Sequence, residues 1–200
     1  MSNVNLTIIY YSSTGTNYKM AEYAQEAAKE AGAEVRLVRV PELAPAEAIA
    51  SNPDWKKHVD ETQHIPEATH ADLEWADAII FSMPTRFGNV PSQMKQFIDT
   101  CGGLWATGKT VNKVVSAMAS ANEIHGGQEQ TILQFYTSMY HWGAIVVAPG
   151  YTDPSISAAG GNPYGTSAIA GKSEDVKEAA KHQAKRVVEV AEWVKQGQAK

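Results

Sequence analysis

Five short runs of apolar and β-branched residues recur along the chain, separated by segments with helical periodicity. Nearly continuous apolar runs, such as residues 6–11 and 77–83, are typical of strands buried on both faces of a parallel sheet. We predict strands at 6–11, 34–40, 77–83, 113–119 and 144–148. Strand–helix alternation of this kind predicts an α/β fold, a doubly wound five-stranded parallel sheet with helices on both faces.

Helices are predicted where apolar residues recur three and four positions apart. They are expected at 17–31, 71–75, 91–98 and 128–142, and in a last segment after Ser173. Pro91 is predicted as the first residue of its helix and Ser173 as an N-cap, because proline and serine suit those positions. The last helix is expected to bury one apolar face, formed by Val176, Ala180, Val187, Ala191 and Val194.

Two stretches of the chain show no clear periodicity of hydrophobic residues. Residues 41–70 contain prolines among mixed charges and are predicted to form a helical piece and a long exposed connection. Residues 149–171 are rich in glycine and proline, and a loop this long is expected to be functional or to contact another subunit. With a length of 200 residues, the range 1–200 is expected to form a single domain.

Composition and charge narrow the possible partners and compartments. The net charge of −5 and the pI of about 5.7 provide no basic field for a nucleic-acid backbone. The single cysteine, Cys101, excludes an internal disulfide. No leader peptide is recognised ahead of Val4 and no apolar run is long enough to span a bilayer, so we expect no membrane insertion and a cytoplasmic location.

The loop after the first predicted strand has the composition of a phosphate site. Doubly wound sheets bind ligands at the carboxyl ends of their strands, where this loop lies. Hydroxyls, one glycine and a helix N-terminus attract an anion without any basic side chain. An ordinary capping loop is the alternative. The residues concerned are Ser12, Ser13, Thr14, Gly15, Thr16 and Asn17.

The loops after the third and fourth strands are the other two candidates. In the third, a planar aromatic and an arginine suit a flat ring system, although Arg86 is alternatively a partner for a surface carboxylate. This loop contains Pro84, Thr85, Arg86, Phe87 and Gly88. In the fourth, small residues and glycines permit close approach of the backbone to a ligand. It contains Ala121, Asn122, Glu123, Ile124, His125 and Gly126, and His125 is expected to be a solvated loop histidine.

Four short motifs, in consistent order, resemble those of a known family. They are PTRFGN (84–89), GGLWA (102–106), GGQEQT (126–131) and GGNPYG (160–165). With them the chain resembles the WrbA family of flavodoxin-like NAD(P)H:quinone oxidoreductases, from Ile8 to the last helix. The resemblance implies FMN as cofactor, NADH or NADPH as co-substrate, quinones as substrates, and a homo-oligomer between a dimer and a tetramer.

The same resemblance implies a role for each loop. Residues 12–17 would hold the FMN phosphate, and residues 84–88 would line the isoalloxazine and the ribityl chain. Residues 121–126 would wrap either the dimethylbenzene or the pyrimidine side. No side chain is expected to act as a catalytic acid or base, because the flavin carries the chemistry.

Two residues outside these loops are also implied, and two positions depart from the family pattern. Trp105 would form an aromatic wall where nicotinamide and quinone bind, and His141 would be a flavin-side residue. Thr14 stands where the family commonly has an aromatic residue, and Trp142 stands where it often has a second histidine.

Three functions remain open at this stage. The first is a two-electron quinone reductase in which nicotinamide and quinone alternate in one pocket. The second is a flavodoxin-type one-electron carrier, against which the modest net charge and the extra loop count. The third is a regulatory protein that keeps the fold without the chemistry.

Two other patterns are interpreted as coincidence. Residues 103–110 match a triphosphate-binding loop, but a helix precedes them and a strand follows, which reverses the order that such a loop requires. His58, His64 and His70 recur six apart, which is not the spacing of one helix face. We expect them to be solvated loop histidines without a metal.

Overall fold

The fold is that of a computed structural model, which describes residues 4–198. The strands are β1 (Asn5–Tyr10), β2 (Glu34–Arg39), β3 (Ala78–Pro84), β4 (Val114–Ala121), β5 (Ile145–Val146) and β6 (Ser167–Ile169). The first helices are α1 (Thr16–Glu30), α2 (Ala46–Ala50), α3 (Pro53–Glu61), α4 (His70–Trp75) and α5 (Ser92–Thr100). The others are α6 (Gly102–Ala106), α7 (Gln128–His141), α8 (Pro154–Ala158) and α9 (Lys177–Gln198).

The sheet has the order β2-β1-β3-β4-β5, and all of its pairings are parallel. Every residue of β3 and β4 is buried, as their nearly continuous apolar sequences require for strands covered by helices on both faces. The prediction of a doubly wound five-stranded parallel sheet is therefore confirmed. No helix within residues 4–198 combines the length and the apolar character needed to cross a membrane.

The fifth position of the sheet is shared by two short strands. β5 pairs with Val114 and Val115 at the start of β4, whereas β6 pairs with residues 119–121 at its end. The predicted strand at 144–148 is therefore too long, and the predicted loop at 149–171 contains both α8 and β6. A three-residue strand among glycines has no alternation to detect, because only its pairing with β4 makes it a strand.

Apolar side chains cover both faces of the sheet. On one face the alanine-rich side of α1 packs against α9, through residues that include Ala24, Ala28 and Ala184. On the other face α5 and α7 cover β3 and β4, and the ring centroids of Phe81 and Phe135 lie 4.6 Å apart. Small side chains between α1 and α9 allow the two helices to approach closely.

Three predictions about helices need correction. Pro91 is the N-cap of α5, with extended backbone angles, and the helix starts at Ser92. Ser173 begins a 3-10 turn without a side-chain cap, and α9 starts at Lys177. The connection at 41–70 holds two helices, α2 and α3, where one helical piece was expected, and Asn52 caps α3 by accepting from two backbone N–H groups.

The predicted apolar face of the last helix agrees with the structure. Ala180, Val187 and Ala191 are buried, and Val194 packs against the same cluster from a partly buried position. Val176 is also buried, although it belongs to the 3-10 turn that precedes α9.

Replacing Gly165 with alanine is expected to destabilise the protein by about 2 kcal/mol, the usual cost of overpacking a core. A Cβ at Gly165 would overlap the carbonyl oxygen of Ala117 in β4 and would press on Ile132, so the segment that leads into β6 would move off the sheet. Urea unfolding followed by circular dichroism measures this loss.

The matched control is Gly197→Ala in α9, because no atom of the described residues lies within 4 Å of a Cβ at that position. Alanine is the better helix former, so this change is expected to be neutral or slightly stabilising. Equal unfolding midpoints for the two variants would contradict the close approach of Gly165 to β4.

Candidate functional site

The loops that follow β1, β3 and β4 line one cleft at the carboxyl end of the sheet. The sequence predicted all three as ligand loops. Residues of each are in the lining, together with Ser120 and Ala170, which the sequence analysis did not single out. Ala170 follows β6, so the split fifth strand completes the cleft on one side.

The loop at 12–17 has the geometry of an anion cradle. Ser12 Oγ accepts from the N–H of Gly15 at 3.0 Å, and Gly15 has a left-handed φ of 96°. Among the described residues, the N–H groups of Ser13, Thr14 and Thr16 donate to no protein acceptor. Free N–H groups at the start of α1, together with the helix dipole, attract an anion to the position they face.

The side chain of Asn17 holds this loop to the two neighbouring strands. Its Nδ2 donates to Ser82 Oγ at 3.2 Å, and its Oδ1 accepts from Ser120 Oγ at 2.6 Å. Ser82 Oγ also donates to the Asn17 carbonyl at 3.0 Å. Asn17 is buried at the inner wall of the cleft, where its side chain is a brace between β3, β4 and α1.

The loop after β3 closes as a tight turn at the edge of the cleft. Arg86 and Asn89 exchange two backbone hydrogen bonds, of 2.9 and 3.0 Å, around Phe87 and Gly88. Both central residues have positive φ, 53° and 75°, which is the geometry of a type I′ turn and is strained for phenylalanine. The ring of Phe87 is fully exposed. A strained turn that presents an exposed aromatic ring is typical of a binding surface.

Arg86 reaches across the cleft towards the phosphate loop. Its guanidinium donates to Ser13 Oγ at 3.3 Å and to the Thr85 carbonyl at 3.0 Å. Within residues 4–198 it forms no salt bridge with a carboxylate, so the alternative of a surface ion pair is not realised there. The guanidinium is therefore the cation that lies beside the anion cradle.

The loop after β4 contacts the β3 loop through glycine. A Cβ at Gly127 would lie 2.8 Å from Gly88 Cα, and Gly127 has a φ of 95°. Thr85 Oγ1 accepts from the Gly88 N–H at 3.1 Å and from Thr131 Oγ1 at 2.7 Å. Residues 122–125 are exposed above this contact, so the two loops together form an open shelf for a flat ligand.

A partly buried carboxylate, missed in the sequence analysis, lies behind these loops. Glu42 accepts from Tyr11 Oη at 3.0 Å, from Gln93 Nε2 at 2.7 Å and from Trp55 Nε1 at 3.1 Å. The backbone N–H groups of two following residues also donate to it. Burial opposes ionisation, but these hydrogen bonds outweigh it and lower the pKa of Glu42 below its ordinary value.

Comparison with known proteins agrees with the geometry of the three loops. The family model described as NADPH-dependent FMN reductase matches residues 5–154. A protein of Deinococcus radiodurans named NAD(P)H dehydrogenase (quinone) is 52% identical over 190 residues, covering 94% of this chain and 95% of its own length. Another of that name, from Geotalea daltonii, is 41% identical and covers 94% of this chain and 97% of its own length.

Solved structures show the same fold. A flavodoxin, WrbA-like protein from Agrobacterium tumefaciens superimposes with a TM-score of 0.68 at 23% identity, covering 94% of this chain and 98% of that one. The chain belongs to the WrbA family. The sequence motifs, the strand order and the relatives thus agree, and the resemblance stated from the motifs is confirmed.

The residues present fit the FMN that the WrbA family implies. Three free N–H groups and Arg86 suit a phosphate ester, and the shelf between Phe87 and the loop at 122–125 suits a flat ring. Thr14, where the family commonly has an aromatic residue, belongs to the lining of the same cleft.

Trp105 and His141 lie far from the cleft of their own chain. Trp105 Nε1 donates to the His141 carbonyl at 2.9 Å, at the end of α7 that adjoins the start of β5. The three loops lie at the other end of α7, a helix of 14 residues and therefore about 20 Å long. Trp142 is buried in the core, and its carbonyl accepts from Thr110.

The patterns that the sequence analysis set aside have structural roles. Lys109 pairs with Glu74 at 2.8 Å, and α6 precedes it, so residues 103–110 are not a phosphate loop. Cys101 is buried, which raises the pKa of its thiol to about 11. Within residues 4–198 no cluster of three or more His, Cys, Asp or Glu residues suits a metal ion.

The expectation that His58 is a solvated loop histidine is wrong. It lies on α3 and is only 7% exposed, whereas His64 and His70 are exposed. The six-residue spacing could not reveal this difference, because the burial of His58 depends on where α3 packs.

Replacing Glu42 with glutamine is expected to destabilise the protein by about 2 kcal/mol at pH 7. The new NH₂ group faces donors that the carboxylate accepted, which leaves partly buried groups unpaired. Because the folded-state pKa of Glu42 is lowered, its contribution is complete above the ordinary value of 4.5 and is lost as the pH falls through the lowered value. The difference between variant and wild type should therefore shrink in acid.

Urea unfolding at pH 7 and at two values below pH 4.5 tests this prediction. Glu67→Gln is the control, since the ion pair of Glu67 with Arg39 is half exposed and is expected to contribute less than about 1 kcal/mol. A destabilisation by Glu42→Gln that is the same at every pH would show that the charge of Glu42 is not what matters.

Proposed function

We propose that this chain is an FMN-dependent NAD(P)H:quinone oxidoreductase that reduces quinones by two electrons, with nicotinamide and quinone alternating in one pocket. The observation that carries the proposal is the set of free N–H groups of Ser13, Thr14 and Thr16, three residues that line the same cleft as residues 84–86 of the β3 loop. Bound FMN would supply the chemistry, by accepting a hydride from NAD(P)H and passing two electrons to the quinone.

The protein's own residues bind and orient in this proposal. Residues 12–17 hold the phosphate through backbone N–H groups and hydroxyls, and Arg86 adds a positive charge. Residues 84–88 and 121–126 hold the flat ring between them, and the contact of Gly88 with Gly127 keeps the two loops in register. No side chain in the cleft is assigned as a general acid or base, because the quinol takes its protons from solvent.

We further propose that the pocket is completed in a homo-oligomer, between a dimer and a tetramer. Trp105 and His141 cannot reach the cleft of their own chain, from which the length of α7 separates them. Trp105 is 57% exposed, and Tyr140 and Leu133 are exposed along α7, as expected of a face covered by another subunit. Trp105 of the partner subunit then forms the aromatic wall, and His141 of the partner subunit lies on the flavin side.

The proposed location is the cytoplasm. The one cysteine is a buried free thiol, which is typical of proteins in a reducing compartment. We propose quinones and NAD(P)H as the partners, and no nucleic acid, because the net charge is −5.

The function is tested by mixing the FMN-loaded protein anaerobically with NADH, then with NADPH, and following the flavin absorption. We expect rapid bleaching by at least one nucleotide and rapid recovery when benzoquinone is added. Retention of FMN without bleaching by either nucleotide would instead indicate a carrier that another protein reduces.

Trp105→Ala is expected to lower kcat/KM for benzoquinone about tenfold, because an aromatic stacking contact contributes about 1 kcal/mol or more. The dissociation constant of FMN should change less. Trp193→Ala, which removes an equally exposed tryptophan from α9, is the control and should leave both quantities unchanged.

Steady-state kinetics and flavin fluorescence give the two constants, and sedimentation velocity gives the oligomeric state of each variant. A wild-type chain that sediments as a monomer at full activity would contradict the role of the partner subunit's Trp105.

A further inference from the structure

The helix α3 packs against the phosphate loop through a single histidine. Of the residues in α3, all of which the structure describes, only His58 is buried. Its Nδ1 lies 3.6 Å from the position of a Cβ at Gly15, and its ring centroid is 5.6 Å from that of Tyr18 in α1. The imidazole therefore lies next to the loop that we assign to the FMN phosphate, and it lines a cavity together with Thr14, Gly15 and Thr16.

A small cavity joins His58 to the start of that loop. It has a volume of about 50 Å³, and its lining includes Tyr10, Ser12, His58 and Thr62. Tyr10 Oη is buried there, and no group within residues 4–198 forms a hydrogen bond with it. A polar cavity of this size accommodates ordered water, which would link the imidazole to the phosphate loop through hydrogen bonds.

The phosphate loop has no positively charged side chain of its own. Residues 12–17 include no lysine or arginine, while a phosphate monoester carries a charge of about −1.5 to −2 at neutral pH. The exposed Arg86 is one nearby cation, on the cleft side of the loop. His58 lies beside Gly15 in a second cavity, which Lys19 and Lys57 also line.

Groups around His58 shift the pKa of its imidazole in opposite directions. Burial lowers the pKa of His58 below its ordinary value, and the nearby Glu61 acts in the opposite direction. A phosphate on the other side of the loop favours the protonated imidazole. The other titratable and charged groups in the two cavities that His58 lines are Tyr10, Tyr11, Tyr18, Lys19, Glu22, Arg39, Glu42, Asp54 and Lys57.

We propose that His58 is a positioning residue for the cofactor phosphate, which it supplies with a positive charge from behind Gly15, so that the protein selects FMN over riboflavin. The inference rests on the proposed function, in that FMN occupies the phosphate loop. His58 acts through the loop, and its protonation accompanies the binding of the phosphate.

Calorimetric titration of the flavin-free protein with FMN and with riboflavin, from pH 5.5 to 8, tests the proposal. Measurements in two buffers of different ionisation enthalpy give the number of protons taken up. Riboflavin lacks the phosphate, so it reports every other pH effect on the same pocket. The variant is His58→Gln, and the control is His64→Gln, which removes an exposed histidine from the same connection.

In the wild type, FMN binding should take up more protons than in His58→Gln, and the preference for FMN over riboflavin should rise as the pH falls. The rise is up to tenfold for each unit by which the phosphate raises the pKa of His58. The phosphate's own titration is common to all variants, so it cancels in the comparison. His64→Gln should behave as the wild type.

Equal proton uptake and equal preference in His58→Gln and wild type would overturn the inference and leave the proposed function standing. Failure of the wild type to bind FMN at any pH would overturn both. A second test, an NMR titration of the histidines in the wild type, does not depend on whether a variant folds. A pKa of His58 that rises with FMN but not with riboflavin supports the inference, and one that rises with neither overturns it.

Discussion

The functional site depends on the hydrogen bonds of one buried side chain, that of Asn17. Its amide joins the first turn of α1 to Ser82 in β3 and to Ser120 in β4. These three elements carry the three loops of the cleft, so the same bonds fix the loops relative to one another. Away from water such bonds are strong, and the loss of one partner leaves the others unpaired. The anion cradle is therefore positioned by the core, although its own atoms lie at the surface.

Glycine decides how closely the backbone segments around the cleft approach. Gly127 meets Gly88 where the β3 and β4 loops touch, and Gly165 lies against the carbonyl of Ala117 as the chain enters β6. A side chain at either position would separate the segments. The two short strands at the fifth position, β5 and β6, leave residues 147–166 free to form a separate excursion, while β6 returns Ala170 to the cleft. β5 and β6 thus pair with the two ends of β4, and the residues between them lie outside the sheet.

Two polar side chains behind the loops, Glu42 and His58, also support the site. Neither residue is in the lining of the cleft between the three loops. Glu42 joins Tyr11, which precedes the phosphate loop, to Gln93, which follows the β3 loop. His58 packs against Gly15 from the connection between β2 and α4. The connection at 41–70, which the sequence predicts to be largely exposed, therefore supports two of the three loops. α3 thus lies beside the phosphate loop, although its residues do not line the cleft between the three loops.

The order of strands and helices follows from the sequence alone, because the period of apolar residues in β1, β3, β4, α1 and α7 is a local property. The motifs also identified the family, since residues such as Thr85, Phe87 and Gly126 stand at fixed spacing from those strands. Contacts between distant segments decided the rest. β6 exists only because β4 offers it hydrogen bonds. The burial of His58 and the hydrogen bonds of Glu42 require segments about 40 or 50 residues apart to meet. The separation of Trp105 from its own cleft likewise follows from the direction of α7. Periodicity reports which face of an element is buried, whereas only the packed structure decides what that face meets.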